Sequence, residues 1–215
     1  MQRKNIHNIF LLFIPFLFTS LLYAQPDAAG HWKPKYVGIS SEEFDDVMTA
    51  QDNDYWCWAA TAEIVLKYYG IDITQEQIVE RMLGKDENGE LPDQGVNLQT
   101  IHNCLNYSDT DNTGLQYEVE AKLGRGVPTA SVLIEQLSLK KPVIVGYNTG
   151  NGGHIVVVTA VSYIITDSGP KIASIVVRDP MPDAAYSMNN GKIEYPGKYF
   201  ARRMNAYWYI NVTTH

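Results

Sequence analysis

Along residues 56–69, Trp-Cys-Trp-Ala-Ala-Thr-Ala-Glu-Ile-Val-Leu-Lys-Tyr-Tyr, apolar side chains surround most of a helical cylinder. That is the pattern of a buried helix, not one laid on a surface. Gly70 follows, a residue suited to ending a helix in the left-handed conformation. A second helix is predicted after Thr74, which with Gln77 three residues on has the spacing of a capping box. Ile78, Val79, Met82 and Leu83 form its apolar stripe, and Gly84 ends it. After a polar loop over 85–96, a third helix is predicted over 97–106, with Leu98, Ile101 and Leu105 on one face. A fourth begins after Thr129 and carries Val132, Leu133, Ile134, Leu137 and Leu139.

Near residue 142 the period changes from helical to strand-like. Residues 142–147 (Pro-Val-Ile-Val-Gly-Tyr) read as a short buried strand, 155–165 as a long Val/Ile-rich one, and 172–177 as another. Thr166-Asp167-Ser168-Gly169-Pro170 has turn chemistry, which makes the last two an antiparallel hairpin. Residues 206–212 close the chain as an aromatic strand. Helices first and strands second predict an α+β fold of two packed lobes.

The first residues do not belong to that pattern. Arg3 and Lys4 precede an apolar run over 9–18, interrupted by Pro15, and Ala24 is a small residue before a polar stretch. This reads as a secretory signal over 1–24, with an uncut anchor as the alternative. Residues 25–43, rich in Pro and Gly at their start, read as an extended arm, and 44–215 as one domain. No later apolar stretch is long enough to span a bilayer, so no membrane attachment is expected once the signal is gone. The expected location is outside the cell or in the periplasm.

Composition then narrows the classes. The 215 residues carry 24 acidic and 17 basic side chains, a formal charge of −7. Loss of Arg3 and Lys4 with the signal takes this to −9. A chain this acidic, without a basic run, lacks the footprint of a nucleic-acid binder. Two cysteines are too few for a disulfide scaffold or a four-thiolate zinc site, and no His-x3-His or Cys-x2-Cys spacing offers another metal centre. No cofactor is implied, and a monomer is expected.

The two cysteines differ in context. Cys57 begins the buried first helix, with Asn53 or Asp54 available to cap it. A thiol at that end faces the positive pole of the helix, which favours thiolate, the nucleophilic form. Cys104 falls on the apolar stripe of the third helix and reads as a buried free thiol, although export leaves a Cys57–Cys104 disulfide open. Of five histidines, His154 stands apart, because Gly150-Asn151-Gly152-Gly153 delivers it to the mouth of the long strand. A hairpin centred near residue 168 places Asp179 opposite about position 157, within a few residues of His154 on the neighbouring strand. A carboxylate there can hold the imidazole and stabilise its charged form. Asp183 substitutes if the register slips. Gln51, six residues before Cys57, offers an amide donor for a developing oxyanion, beside the Cys57 backbone N–H.

The segment Gln51-Asp52-Asn53-Asp54-Tyr55-Trp56-Cys57-Trp58-Ala59-Ala60 resembles the active-site segment of papain-like cysteine peptidases. The likeness extends through Gly153-His154-Ile155 and Val177-Arg178-Asp179-Pro180, and is to the compact bacterial branch that includes effector proteases and double-glycine leader peptidases. It implies a helical lobe packed on an antiparallel β lobe, with Cys57 as nucleophile, His154 as base and then acid, Asp179 orienting it, and Gln51 in the oxyanion hole. The departures are Tyr55 and Trp56 where papain has a small-residue turn and a disulfide cysteine, and Asp where papain has Asn. The function so implied is a secreted thiol peptidase acting on a peptide or protein through an acyl-enzyme. The same residues could serve acyl transfer, and a binding module that has lost catalysis is the remaining alternative.

Overall fold

A computed structural model describes residues 33–215. The proposed signal, 1–24, and the first part of the arm lie outside the described residues. The chain runs β1 (Lys35–Gly38), α1 (Ser41–Asp45), α2 (Cys57–Tyr68), α3 (Gln75–Leu83), α4 (Leu98–Cys104), β2 (Tyr107–Thr110), β3 (Gln116–Arg125) and α5 (Ala130–Ser138). It continues through β4 (Val143–Asn148), β5 (Gly153–Thr166), β6 (Gly169–Arg178), α6 (Pro182–Ala185), β7 (Lys192–Pro196), α7 (Gly197–Ala201) and β8 (Met204–Thr214). The strands form one antiparallel sheet in the order β2-β3-β8-β4-β5-β6-β7, with β1 pairing to β5 beyond the end of β4.

The capping chemistry legible in the sequence is present. Thr74 and Gln77 close the capping box of α3, and Gly84 ends that helix at φ +72°. Asn97 accepts from the amides of Gln99 and Thr100 at the start of α4, and Thr129 caps α5. A second capping box, Ser40 with Glu43, starts α1 inside the stretch expected to be an extended arm. The expected cap of α2 is absent. Trp56 occupies that position and makes no side-chain cap bond; its own amide donates to the Asn53 carbonyl at 3.2 Å.

Helices and strands are less segregated than the period change suggests. β1 precedes every helix, and β3 lies between α4 and α5. In β3, buried Tyr117, Val119 and Ala121 alternate with exposed Gln116, Glu118 and Glu120, a period-2 pattern that marks a strand with one wet face. One core layer lies between α2, α3 and α4 and one face of the sheet, where Trp58, Ile64, Ile78, Ile144, Val157 and Trp208 meet. The second packs α5, through Leu133 and Leu137, on Val143, Val145, Val156 and Val158. Successive residues of β4 and β5 therefore feed opposite cores. This is why those strands read as unbroken Val/Ile runs.

Candidate active site

The sheet and α2 meet where Thr61 Oγ1 donates to the Ile155 carbonyl, 3.1 Å away and fully buried. That contact fixes the first turns of α2 over the start of β5, and so brings Cys57 to His154. In the hairpin, Arg178 faces Val157 and Val177 faces Val158, which places Asp179 one step from the expected register. The slip is set at the turn, where Thr166 faces Gly169 and the hairpin is centred between Asp167 and Ser168. The bulges between Ser162 and Tyr163 and between Val158 and Ala160 shift the register by one and back again. The slip is too small to matter: His154 Nε2 and Asp179 Oδ1 are 2.7 Å apart. Asp183 is exposed in the first turn of α6 and takes no part.

His154 is only 7% exposed. Burial alone would lower its pKa, but the hydrogen bond to Asp179, followed by one to Cys57, raises it from the ordinary 6.5 to about 9. With Nε2 committed to Asp179, Nδ1 is the ring nitrogen left for the thiol. The ring is also steadied by Tyr147, edge-on at 5.6 Å between centroids. Tyr147 and His154 are cross-strand partners in β4 and β5. Asp179 is itself held, its Oδ1 accepting the Met181 amide at 2.9 Å.

Cys57 and His154 share a cleft of about 270 Å³, lined by Trp58, Val96, Leu98, Ile101, Ile155 and several glycines, among them Gly95, Gly146 and Gly153. Its walls are apolar, and its glycines leave backbone open to an extended guest. A larger hollow of about 650 Å³ lies between β1, α5 and the β5–β6 hairpin. It contains neither cysteine nor histidine, so chemistry and not size selects the smaller cleft.

Gln51 is buried, but the structure does not bring its amide into that cleft. Its Nε2 donates to the carbonyls of Asn53 and Asp54, both at 2.8 Å, and Oε1 has no partner among the described residues. In this arrangement Gln51 shapes the turn leading into α2, while the uncapped first turn of α2 presents amides that no side chain claims. Cys57 and Cys104 are both free thiols, so the alternative disulfide is not formed. Sequence reasoning did not single out Tyr147. Its position opposite His154 becomes visible only once β4 and β5 are paired.

With this geometry in hand, residues 44–211 match the model of the Peptidase_C39 like family. The chain belongs to that family. It is a cysteine-type peptidase. Among solved structures, the peptidase domain of Streptococcus ComA, a bi-functional ABC transporter involved in a quorum sensing pathway, has a TM-score of 0.50 at 16% identity. That match covers 76% of this chain and 96% of the other. A double glycine motif protease from an AMS/PCAT transporter, in complex with the leader peptide, has a TM-score of 0.45 at 20% identity, covering 77% and 91%. No curated protein matches. The mixed helix and antiparallel sheet of this C39-type chain is thus the papain-like fold of its neighbours.

Proposed function

We propose that this C39-type chain is an exported thiol peptidase that hydrolyses peptide bonds with Cys57, His154 and Asp179. The observation that carries the reading is the buried His154–Asp179 pair at 2.7 Å, with Cys57 lining the same cleft as that ring. Asp179 fixes the imidazole and favours its charged form, so His154 takes the Cys57 proton as the sulfur becomes the nucleophile. The Cys57 sulfur attacks the scissile carbonyl carbon, forming the C–S bond and moving the carbonyl electron pair onto oxygen. Backbone amides at the open start of α2 receive that oxyanion, and Gln51 adds a donor when one of its N–H groups leaves the Asn53 or Asp54 carbonyl. As the oxyanion collapses, the C–N bond breaks and His154 gives its proton to the departing amine. Water, deprotonated by His154, then attacks the thioester and releases the acid and the thiol.

The substrate in this reading is an extended peptide segment with an apolar side chain against Trp58, Val96 and Ile155. A formal charge of −9 after signal removal makes a basic or neutral peptide a better guest than an acidic one. The protein acts as a monomer outside the cell or in the periplasm, with Gln25 as its first residue after processing.

The test is to treat purified protein with an epoxide thiol inhibitor under reducing conditions and locate the adduct by mass spectrometry. A single adduct at Cys57, with loss of peptide hydrolysis, is expected. A folded protein that takes no adduct at Cys57 sinks the reading. An amine-incorporation assay alongside separates hydrolysis from acyl transfer, and N-terminal sequencing of protein recovered outside the cytoplasm tests the export step.

A further inference from the structure

Asp179 lies just past the end of β6, where no ladder hydrogen bond holds it. Side chains alternate across a strand, so Arg178 points away from His154, toward α1. There it is 1% exposed. A cation buried this deeply needs close polar partners. Nη1 of Arg178 donates to the carbonyls of Asn190 at 2.9 Å and Asn189 at 3.3 Å. It also lies 2.6 Å from Asp45 Oδ1, at an angle that makes a charge contact and not a hydrogen bond.

The two carbonyls belong to the segment that returns from α6. Asn190 and Gly191 are both left-handed, at φ +47° and +68°, which turns that backbone toward Arg178. The next residue then reaches Asp179 itself. Gly191 O accepts the Asp179 amide at 2.8 Å, and Gly191 N donates to Ala184 O at 2.8 Å. A Cβ on Gly191 would stand 2.5 Å from Asp179 O and 3.2 Å from Asp179 N. Only glycine combines that φ with that approach. A further bond, Gln51 N to Pro180 O at 2.8 Å, ties this corner to the segment leading to Cys57.

We propose that Arg178 and Gly191 are positioning residues that hold Asp179 against His154. The inference rests on the role proposed above for Asp179. Arg178 draws the 189–190 carbonyls inward, Gly191 then clasps the Asp179 backbone, and the carboxylate is left with one direction, toward the ring. The carboxylate's position sets how strongly the imidazolium is favoured, so loosening it must be visible in the ring's titration.

The experiment follows the His154 ring by NMR across pH in the full chain, with His154→Ala identifying the signal. Cys57 alkylation by iodoacetamide is measured in parallel. In Gly191→Ala and Arg178→Met the His154 midpoint is expected to fall by about one unit or more, a tenfold loss of preference for the charged ring. Arg178→Lys, which keeps the charge but not the fork, should fall less. In an Asp179→Asn background, adding Gly191→Ala should move the midpoint no further, because the partner being positioned is already gone. A folded Gly191→Ala or Arg178→Met protein with an unmoved midpoint overturns the proposal, and so does an equal fall in the Asp179→Asn background. If those variants do not fold, Asp45→Asn at its more exposed carboxylate decides, with a fall of about twofold in that preference expected and no fall overturning it. Neither readout needs a substrate. Failure of peptide hydrolysis with normal Cys57 alkylation therefore strikes the functional reading and leaves this one standing.

Discussion

The two cysteines of this protein sit in regions of opposite character within the same helical layer. Cys104 is 1% exposed on α4, and burial pushes its thiol up to about 12, with the Arg81 charge pulling only partly back. Cys57 stands at the first turn of α2, partly exposed, beside a histidine that is itself held by a carboxylate. The same side chain is thus a core hydrophobe in one place and an ionisable group with a proton partner in the other. Thiol reactivity depends on surroundings, and of the two cysteines Cys57 has the His154–Asp179 pair in its cleft while Cys104 is enclosed in the core.

The largest expected effect tests that contrast directly. Cys57→Ala should reduce peptide hydrolysis by about 10⁴-fold or more, while Cys104→Ala leaves it within about twofold. Activity assays on both variants check this, and a large loss at Cys104 would break the comparison. Next in size, Asp179→Ala should lower kcat about 10²-fold with little change in KM, since the carboxylate acts on His154 and not on the peptide. Steady-state kinetics distinguishes this from a binding defect.

A third expectation concerns pH. The folded-state pKa of His154 lies above its ordinary 6.5, at about 9. The stability drawn from that difference is therefore full below about 6.5 and is lost as the pH rises through about 9. Chemical denaturation from pH 6 to 10 should show this decline in the wild type and a flatter profile in Asp179→Asn. Cys104 sharpens the contrast from the other side. Cys104→Ala should cost about 1–2 kcal/mol of stability through a small cavity in the α4 core, read from denaturation midpoints. Smallest of all, Thr74→Ala should cost about 1 kcal/mol by removing half of the α3 capping box, with no effect on Cys57 alkylation.

Much of this is legible in the sequence. The helix starts at Thr74, Asn97 and Thr129 follow from local side-chain-to-backbone bonds, which need only neighbours in sequence. The pairing of His154 with Asp179 was within reach because a tight turn at Asp167-Ser168 fixes the hairpin register to within a residue. Elements defined by distant partners were less accessible. β1 is four residues long and exists because β5 extends beyond β4. The turn before Cys57 held an apparent capping pair, Asn53 and Asp54, yet Gln51 takes their carbonyls and the helix starts uncapped at Trp56.

The sequence by itself determined a cysteine at a helix start, a histidine at a strand mouth and an aspartate at the end of the next strand. Each depends on short-range periodicity and one turn. Only the tertiary structure decided that Cys57 and His154 share a cleft, that Arg178 turns inward to Asn189, Asn190 and Asp45, and that Gly191 presses on Asp179. Those contacts join residues at least 11 positions apart, beyond the reach of a single turn, and their geometry comes from how α2 and the 179–191 segment pack on the sheet. No local propensity encodes that packing. It is set by which buried charges and backbone groups must find partners once the two core layers have formed.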